Sequence, residues 1–359
     1  MTTQEAPVDL LIVGAGPAGL AAAIAAQRAG LSHEILEKGA IANSIFHFPR
    51  NQVFFTTPEL LEIGGLPFVT PYEKPTRIEA LRYYRRVVET FGLKLALGIQ
   101  VTAIRVEAGA QGTRFAVETR ETPPAARSGF AGAGGPSAGL EQDRGGPSPP
   151  PRHARNVVVA CGYYDRPNLL GVPGEGLPHV SHYYAEAHAY YGQRVAVVGG
   201  KNSAALAALD LHRHGARVTL IHRRKQLSDS IKYWIRPDIE NRLKQGSIAV
   251  RFETRLIEIE PRALTLEGPA GRERLEADAV FLLTGYHPDD ALLRGAGVRV
   301  DPDSFRPFHD ESTFETDVPG LFVAGSVVSG RETNKTFIEN GRFHGERIVA
   351  SILASRGSL

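Results

Sequence analysis

Residues 9–13 are apolar after their first position and have the length of a strand buried on both faces. Residues 17–29 form a small-residue stretch of helical length, and His33–Glu37 is a second short strand-like run. Strand, helix and strand in that order make one β-α-β unit. The same order recurs at Arg194–Val198, residues 203–214 and residues 217–222, about one domain further along. The repeat predicts an α/β chain with two Rossmann-like dinucleotide-binding domains. Strands predicted at 279–284 and 319–324, and a helix over 336–354, read as the completion of the first domain, so the second is an insertion within it. The expected boundaries are 1–168 and 286–359 for the first domain and 169–285 for the inserted one. Residues 121–153 are dominated by Gly, Pro, Ala and Ser and carry too little apolar surface to offset the entropy of ordering them. With strand-like runs at 115–119 and 156–160 on either side, they read as an overgrown, flexible hairpin loop, a partner-binding arm being the alternative.

The segment Gly14-Ala15-Gly16-Pro17-Ala18-Gly19 lies between the first strand and helix, the context that gives a G-x-G-x-x-G pattern meaning. Gly14 permits a tight turn, Gly16 lets a pyrophosphate reach the backbone, and Gly19 lets helix and strand pack closely. The helix N-terminus then offers its free N–H groups and dipole to the phosphates, and Pro17 fits a first helical position where its missing N–H costs nothing. Glu37 closes the second strand 18 residues beyond Gly19, where a carboxylate accepts from ribose hydroxyls. The motif alone leaves FAD and NAD open.

The second unit varies this design. In Gly199-Gly200-Lys201-Asn202-Ser203-Ala204 the fingerprint positions are Gly199, Lys201 and Ala204, so a lysine replaces the glycine of closest phosphate approach. At the same 18-residue offset from Ala204 stands His222-Arg223-Arg224 in place of an acid. Guanidinium groups there suit the 2′-phosphate of NADPH, which a carboxylate would repel. One acid-ended and one base-ended unit imply two different dinucleotides, and FAD with NADPH is the pairing that supports chemistry, a hydride passing from nicotinamide to flavin.

The bulk properties narrow the field. The 359 residues are 42% hydrophobic, and Lys+Arg at 41 against Asp+Glu at 39 gives a net charge of +2, so neither nucleic-acid nor anionic-membrane binding is predicted. Cys161 is the single cysteine, which removes an intrachain disulfide, a Cys-x-x-Cys pair and a cysteine-rich zinc site; no metal site is predicted. The apolar N-terminal stretch follows Glu5 and Asp9, has no Lys or Arg before Arg28 and is broken by glycines, unlike a signal peptide. No apolar run has membrane-spanning length, and the expectation is a soluble cytoplasmic protein.

Longer segments resemble a known family. Glu37-Lys38-Gly39 with Asn43-Ser44-Ile45, Cys161-Gly162-Tyr163-Tyr164-Asp165-Arg166-Pro167-Asn168, and Ser230-Ile231-Lys232-Tyr233-Trp234-Ile235 leading to Asp238-Ile239-Glu240-Asn241 are three of them. The second glycine turn and Phe337-Ile338-Glu339-Asn340-Gly341-Arg342-Phe343-His344-Gly345 complete the set. Across nearly the whole chain they resemble low-molecular-weight thioredoxin-reductase-like flavoproteins, in particular the bacillithiol disulfide reductase (YpdA-type) branch. The resemblance implies an FAD domain interrupted by an NADPH domain and a homodimer. It places Gly325 and Ser326 at the C-terminal FAD turn, Phe337 and Ile338 beside the flavin ring, and Lys38, Asn43, Ser44 and Gly162 among the FAD-binding residues. Ser326 stands where thioredoxin reductases carry Asp. The dithiol of those enzymes is replaced by Ser181-His182-Tyr183-Tyr184-Ala185-Glu186, and the glycine-loop cysteine of the bacillithiol branch is replaced by Ala18.

The implied activity is NADPH-dependent flavoprotein oxidoreduction. The acceptor is a small disulfide or, because no thiol is then needed, a ferredoxin- or flavodoxin-type electron carrier. A nucleotide-binding flavoprotein without turnover is the third reading. No residue is singled out as catalytic by spacing. Cys161 and His344 are the candidates, Cys161 reading more readily as a packing residue after an apolar strand. His47, His182 and His287 read as surface or packing histidines, and Tyr163 and Tyr164 as packed aromatics with an acceptor pocket as the alternative.

Overall fold

The computed structural model describes residues 6–109, 112–122 and 149–357. β1 (Val8–Val13), α1 (Pro17–Arg28) and β2 (His33–Glu37) make the first β-α-β unit. β1 has a parallel neighbour on each side, and Leu10, Leu11 and Ile12, which point to both faces of the sheet, are fully buried in the first core; each such side chain contributes about 1.5–3 kcal/mol of burial. Two short helices, α2 (Asn43–Phe46) and α3 (Pro58–Leu61), precede α4 (Arg77–Phe91). A capping box starts α4: the Thr76 side chain accepts the Glu79 N–H and the Glu79 side chain accepts the Thr76 N–H. β3 (Leu95–Leu97) joins the sheet edge beside β2, and β4 (Ile99–Gly109) and β5 (Gly112–Glu121) pair antiparallel.

β6 (Arg152–Val159) lies parallel to β1 and antiparallel to β5, with Phe115 opposite Ala154 and Val117 opposite Arg152. Strands so paired are what an enlarged hairpin requires. Of the loop expected over 121–153, residues 123–148 lie outside the described residues. After β6 come β7 (Arg166–Pro167), β8 (Val180–Ser181), β9 (Arg194–Val198), α5 (Asn202–Arg213), β10 (Arg217–Ile221), α6 (Arg236–Lys244) and β11 (Ala249–Arg251). An antiparallel meander, β12 (Arg255–Glu260), β13 (Ala263–Gly268) and β14 (Gly271–Glu276), leads to β15 (Ala279–Leu282) and β16 (Tyr286–His287).

The second sheet is all parallel in the order β11-β10-β9-β15-β8. Its two faces are read directly from β9: Val195 and Val197 pack with α5 and α6, while Ala196 and Val198 pack with Leu256, Leu264 and Leu266 of the meander. Every strand of this sheet lies in sequence between β7 and β16, which pair with each other as a two-stranded ribbon.

The chain then returns to the first sheet through α7 (Ala291–Gly295) and β17 (Leu321–Val323). β17 pairs with the half of β6 that β5 leaves free, Leu321 opposite Val157. The helix expected over 336–354 is two helices, α8 (Ile338–Gly341) and α9 (His344–Gly357). The reason is two close approaches to different partners. A Cβ on Gly341 would lie 3.3 Å from Gly325 Cα, and one on Gly345 only 2.4 Å from Ala22 Cα. The turn at Arg342 and Phe343 lets the chain satisfy both, seating α9 along α1.

Candidate active site

The first glycine turn gives each glycine a separate cause. Gly14 has φ +108°, and a Cβ there would meet Ala160 O at 2.7 Å, where β6 ends. A Cβ on Gly19 would fall 2.0 Å from Gly14 O, so helix and strand touch backbone to backbone. A Cβ on Gly16 would meet nothing within 4 Å. The space is open, and it lies at the start of a helix whose N-cap is Gly16 itself, with no side-chain cap, Pro17 in the first turn and no acid there. Such a helix end fits a pyrophosphate.

Glu37 is buried and ties this turn to β2, its Oε2 accepting the Ala15 N–H at 2.9 Å and its Oε1 the Gly39 N–H at 2.8 Å. Burial raises its pKa above the ordinary carboxylate value, opposed by those two N–H groups. Each oxygen keeps a second lone pair for a ribose hydroxyl. Asn43 Oδ1 accepts the Ala40 N–H at 3.2 Å and fills the place a Gly39 side chain would need, while Ser44 follows in α2. Lys38 is committed to an ion pair with Asp165.

Residues far apart in sequence close the same end of the sheet. Gly162 (φ +72°) would place a Cβ 3.5 Å from Ser326 Oγ, and Gly325 would place one 2.7 Å from the Ala18 Cβ. The first turn, the segment after β6 and the turn after β17 thus meet at the carboxyl ends of three neighbouring parallel strands. Phe337, the exposed N-cap residue of α8, and Ile338 stand one helical turn from the Gly341 contact with Gly325.

In the second unit, a Cβ on Gly199 would strike Leu283 O at 2.6 Å and the Ala204 side chain at 2.7 Å. A Cβ on Gly200 would fall 2.2 Å from His222 Cε1, clashing with the imidazole ring. His222 Nε2 is buried with no hydrogen-bond partner among the described residues. Burial first, then Arg224 and Arg223, lowers the His222 pKa. Lys201 is the exposed N-cap of α5, whose first turn carries Asn202 and Ser203 and no acid. A cleft of about 620 Å³ is lined by Arg223, Arg224, Lys225 and Arg255 against Glu253 and Glu267. An unpartnered imidazole nitrogen beside an excess of cations fits an anionic ribose phosphate.

The sequence matches the family described as pyridine nucleotide-disulphide oxidoreductase over residues 11–135 and 150–325. The chain belongs to this family. It is 39% identical over 346 residues to Bacilliredoxin reductase Bdr of Bacillus subtilis (strain 168), covering 95% of this chain and 96% of that protein. Its fold is similar to that of bacillithiol disulfide reductase Bdr (YpdA) from Bacillus cereus, with TM-score 0.88 and 39% identity over 98% of this chain and 100% of that one. The Staphylococcus aureus Bdr (YpdA) structure gives TM-score 0.85 and 34% identity over 98% and 99%. As a pyridine nucleotide-disulphide oxidoreductase of thioredoxin-reductase-like fold, the protein is an NADPH-dependent FAD enzyme.

Unlike enzymes of the family that work through a dithiol, this chain holds no exposed thiol. Cys161 packs against the first core just beyond β6, and burial, with smaller contributions from Asp165 and Asp289, pushes its thiol up to about 12. A thiol at that value is inert near neutral pH. Iodoacetamide at pH 8 is expected to leave Cys161 unlabelled in the folded holoenzyme and to label it in urea, with intact-mass spectrometry as the readout.

The segment that takes the dithiol's place is packed. Tyr183 stacks on Tyr286 at 5.4 Å and donates its hydroxyl to Tyr164 O at 2.9 Å, and the Tyr286 hydroxyl donates to His182 O at 2.9 Å. Burial holds Tyr163, Tyr164, Tyr183 and Tyr286 in their neutral forms by raising each pKa. His47 Nδ1 donates to Asn43 O at 2.8 Å, His182 Nε2 lies 3.3 Å from Glu175, and His287 Nδ1 donates to Pro288 O at 2.9 Å. Among the described residues no His, Cys, Asp and Glu cluster is placed to hold a metal, and no helix is long and apolar enough to cross a membrane.

His344 is buried, stacks on Phe314 with ring centroids 3.9 Å apart, and accepts the Gly325 N–H on Nδ1 at 3.2 Å. It therefore sets the turn after β17 from behind. Burial, helped by the charges of Arg347 and His309, lowers its pKa to about 4. A protonated Nδ1 cannot accept. With the unfolded value near 6.5, the native state binds fewer protons between about 4 and 6.5, and stability falls as pH falls through that window, by about 3 kcal/mol in all. His344→Gln keeps an acceptor and removes the titration. The melting temperature of the wild type is expected to approach or cross that of the variant as pH drops from 7 to 4.5.

Proposed function

We propose that the protein reduces a low-molecular-weight disulfide of the bacillithiol type with NADPH, and does so without a thiol of its own. The balance is NADPH + H⁺ + RSSR giving NADP⁺ and two RSH. Bound flavin supplies the two-electron carrier between nicotinamide and disulfide; the protein's part is to hold both dinucleotides, exclude water and seat the acceptor. Gly14, Gly16, Pro17, Ala18, Gly19, Glu37, Lys38, Asn43, Ser44, Gly162, Gly325, Ser326, Phe337 and Ile338 are assigned to FAD. Residues 199–204 with His222, Arg223 and Arg224 are assigned to NADPH. The boundaries 1–168, 169–285 and 286–359 follow from that division, a homodimer or higher homo-oligomer follows from the family resemblance, and a cytoplasmic location is part of the same proposal.

The full-length kinship with the Bdr proteins carries the disulfide reading. Ala18 and the half-buried Cys161, its thiol pKa raised, favour a second one, in which the acceptor is a ferredoxin- or flavodoxin-type carrier that asks only for an accessible flavin edge. Anaerobic mixing of the purified yellow protein with NADPH and then bacillithiol disulfide separates them. Sustained NADPH consumption is expected. Bleaching of the flavin without turnover would remove the disulfide and leave the electron carrier.

A further inference from the structure

An exposed aromatic surface lies between the two glycine turns. Trp234 meets Phe55 edge to face, with ring centroids 5.6 Å apart, and Tyr233 meets Trp234 at 4.8 Å. Lys74 Nζ sits 4.4 Å from the Trp234 ring centroid. Lys232 Nζ is 5.8 Å from the centroid of Phe55 and 5.9 Å from that of Phe337. The shelf is anchored to both cofactor turns. The Lys232 N–H donates to Asn202 Oδ1 at 2.9 Å at the start of α5, and Phe337 opens α8, whose Gly341 rests on Gly325.

This surface is poorly explained by folding alone. Tyr233 is 80% exposed and Trp234 39%, so large apolar faces are left in water. Neither Lys74 nor Lys232 has a carboxylate at ion-pair distance among the described residues, whereas the nearby Asp229 is taken by Arg236 at 3.5 Å. A cation over an exposed ring is held by only about 0.5–1 kcal/mol, so these two ammoniums are free to move to a stronger anion. Flat aromatic faces beside ammoniums without a carboxylate partner suit a small ligand that combines sugar or disulfide surface with carboxylates.

We propose that this shelf is the acceptor site, with Lys74 and Lys232 pairing the carboxylates of a low-molecular-weight disulfide and Phe55, Tyr233 and Trp234 covering its arms. The assignment deepens the disulfide reading above and rests on it for turnover, but not for binding. Trp234 is the single tryptophan of the chain, so its fluorescence reports on the shelf directly.

The oxidised holoenzyme is titrated with bacillithiol disulfide, with oxidised glutathione, and with uncharged bis(2-hydroxyethyl) disulfide. A saturable Trp234 response to the two carboxylated compounds is expected, absent for the uncharged one and weakened about tenfold by Lys232→Met and by Lys74→Met, the loss of one charge-assisted contact. In turnover the same variants raise the KM for bacillithiol disulfide without slowing flavin bleaching by NADPH. Equal binding of the uncharged disulfide overturns the proposal, as does a Trp234 response confined to NADP⁺. If the wild type fails to turn over bacillithiol disulfide, the disulfide reading falls by itself. The shelf then stands on a lysine-dependent response to oxidised glutathione and falls without one.

Discussion

Gly16→Ala is expected to leave a folded protein that no longer retains FAD, whereas Gly19→Ala is expected not to fold. The two changes add the same methyl group to the same turn. At Gly16 the new Cβ enters open space, and the apoprotein loses only the difference between Gly and Ala as a helix N-cap, about 1 kcal/mol or less. That space is the room assigned to the pyrophosphate, so the methyl group displaces the ligand and not the fold. At Gly19 the Cβ would lie 2.0 Å from Gly14 O, and relief requires α1 to move off β1 at the centre of the first core. Overpacking of this kind costs about 1–3 kcal/mol where neighbours yield, and more where both partners are backbone. Flavin content by absorbance, with circular dichroism of the apoproteins, checks both arms. A yellow Gly16→Ala protein with unchanged affinity would mean that the cofactor does not pass over this turn.

Changing Arg223 and Arg224 together to Ala is expected to weaken NADPH about 100-fold and NADH hardly at all. The two guanidiniums follow β10 directly after His222, the counterpart of Glu37 at the end of β2, and both line the basic cleft. A hydrogen bond to a charged group is worth about 1.5–3 kcal/mol, so losing the contacts of two arginines to one phosphate reaches that factor. Anaerobic stopped-flow bleaching of the flavin by each nucleotide measures it. Equal losses for NADPH and NADH would show that the 2′-phosphate is read elsewhere.

The parts of this architecture that depend on local pattern are visible in the sequence. Residues 9–13 read as a strand because β1 is buried on both faces and needs no polar alternation. The glycine spacing and the matching offsets of Glu37 and His222 are set by one repeated backbone geometry, so the same count finds both. The break between α8 and α9 was not visible, because Gly341 and Gly345 signal a close approach only once Gly325 and Ala22 are known to lie against them. Lys38 and Asp165 pair across 127 positions, and the aromatic shelf draws on stretches around 55, 74, 233 and 337. Contacts between such distant stretches leave no periodicity to read. Helix α4 was not among the elements expected, although the Thr-x-x-Glu spacing of Thr76 and Glu79 marks its start.

The β7–β16 ribbon has a consequence for how such a molecule is assembled and altered. The Asn168 N–H donates to Gly285 O at 2.9 Å and the Thr284 hydroxyl to Asn168 O at 2.7 Å, so the chain leaves and re-enters the flavin-side fold at one spot. To that host fold everything between is a loop with pinned ends, and the entropy of closing a loop rises by only about 0.6 kcal/mol for each doubling of its length. The host is therefore nearly indifferent to the size of what it carries. The nicotinamide-side unit is a cassette, open to exchange for another with adjacent ends, and the two halves of the enzyme are free to change their nucleotide preferences and their acceptors on separate schedules.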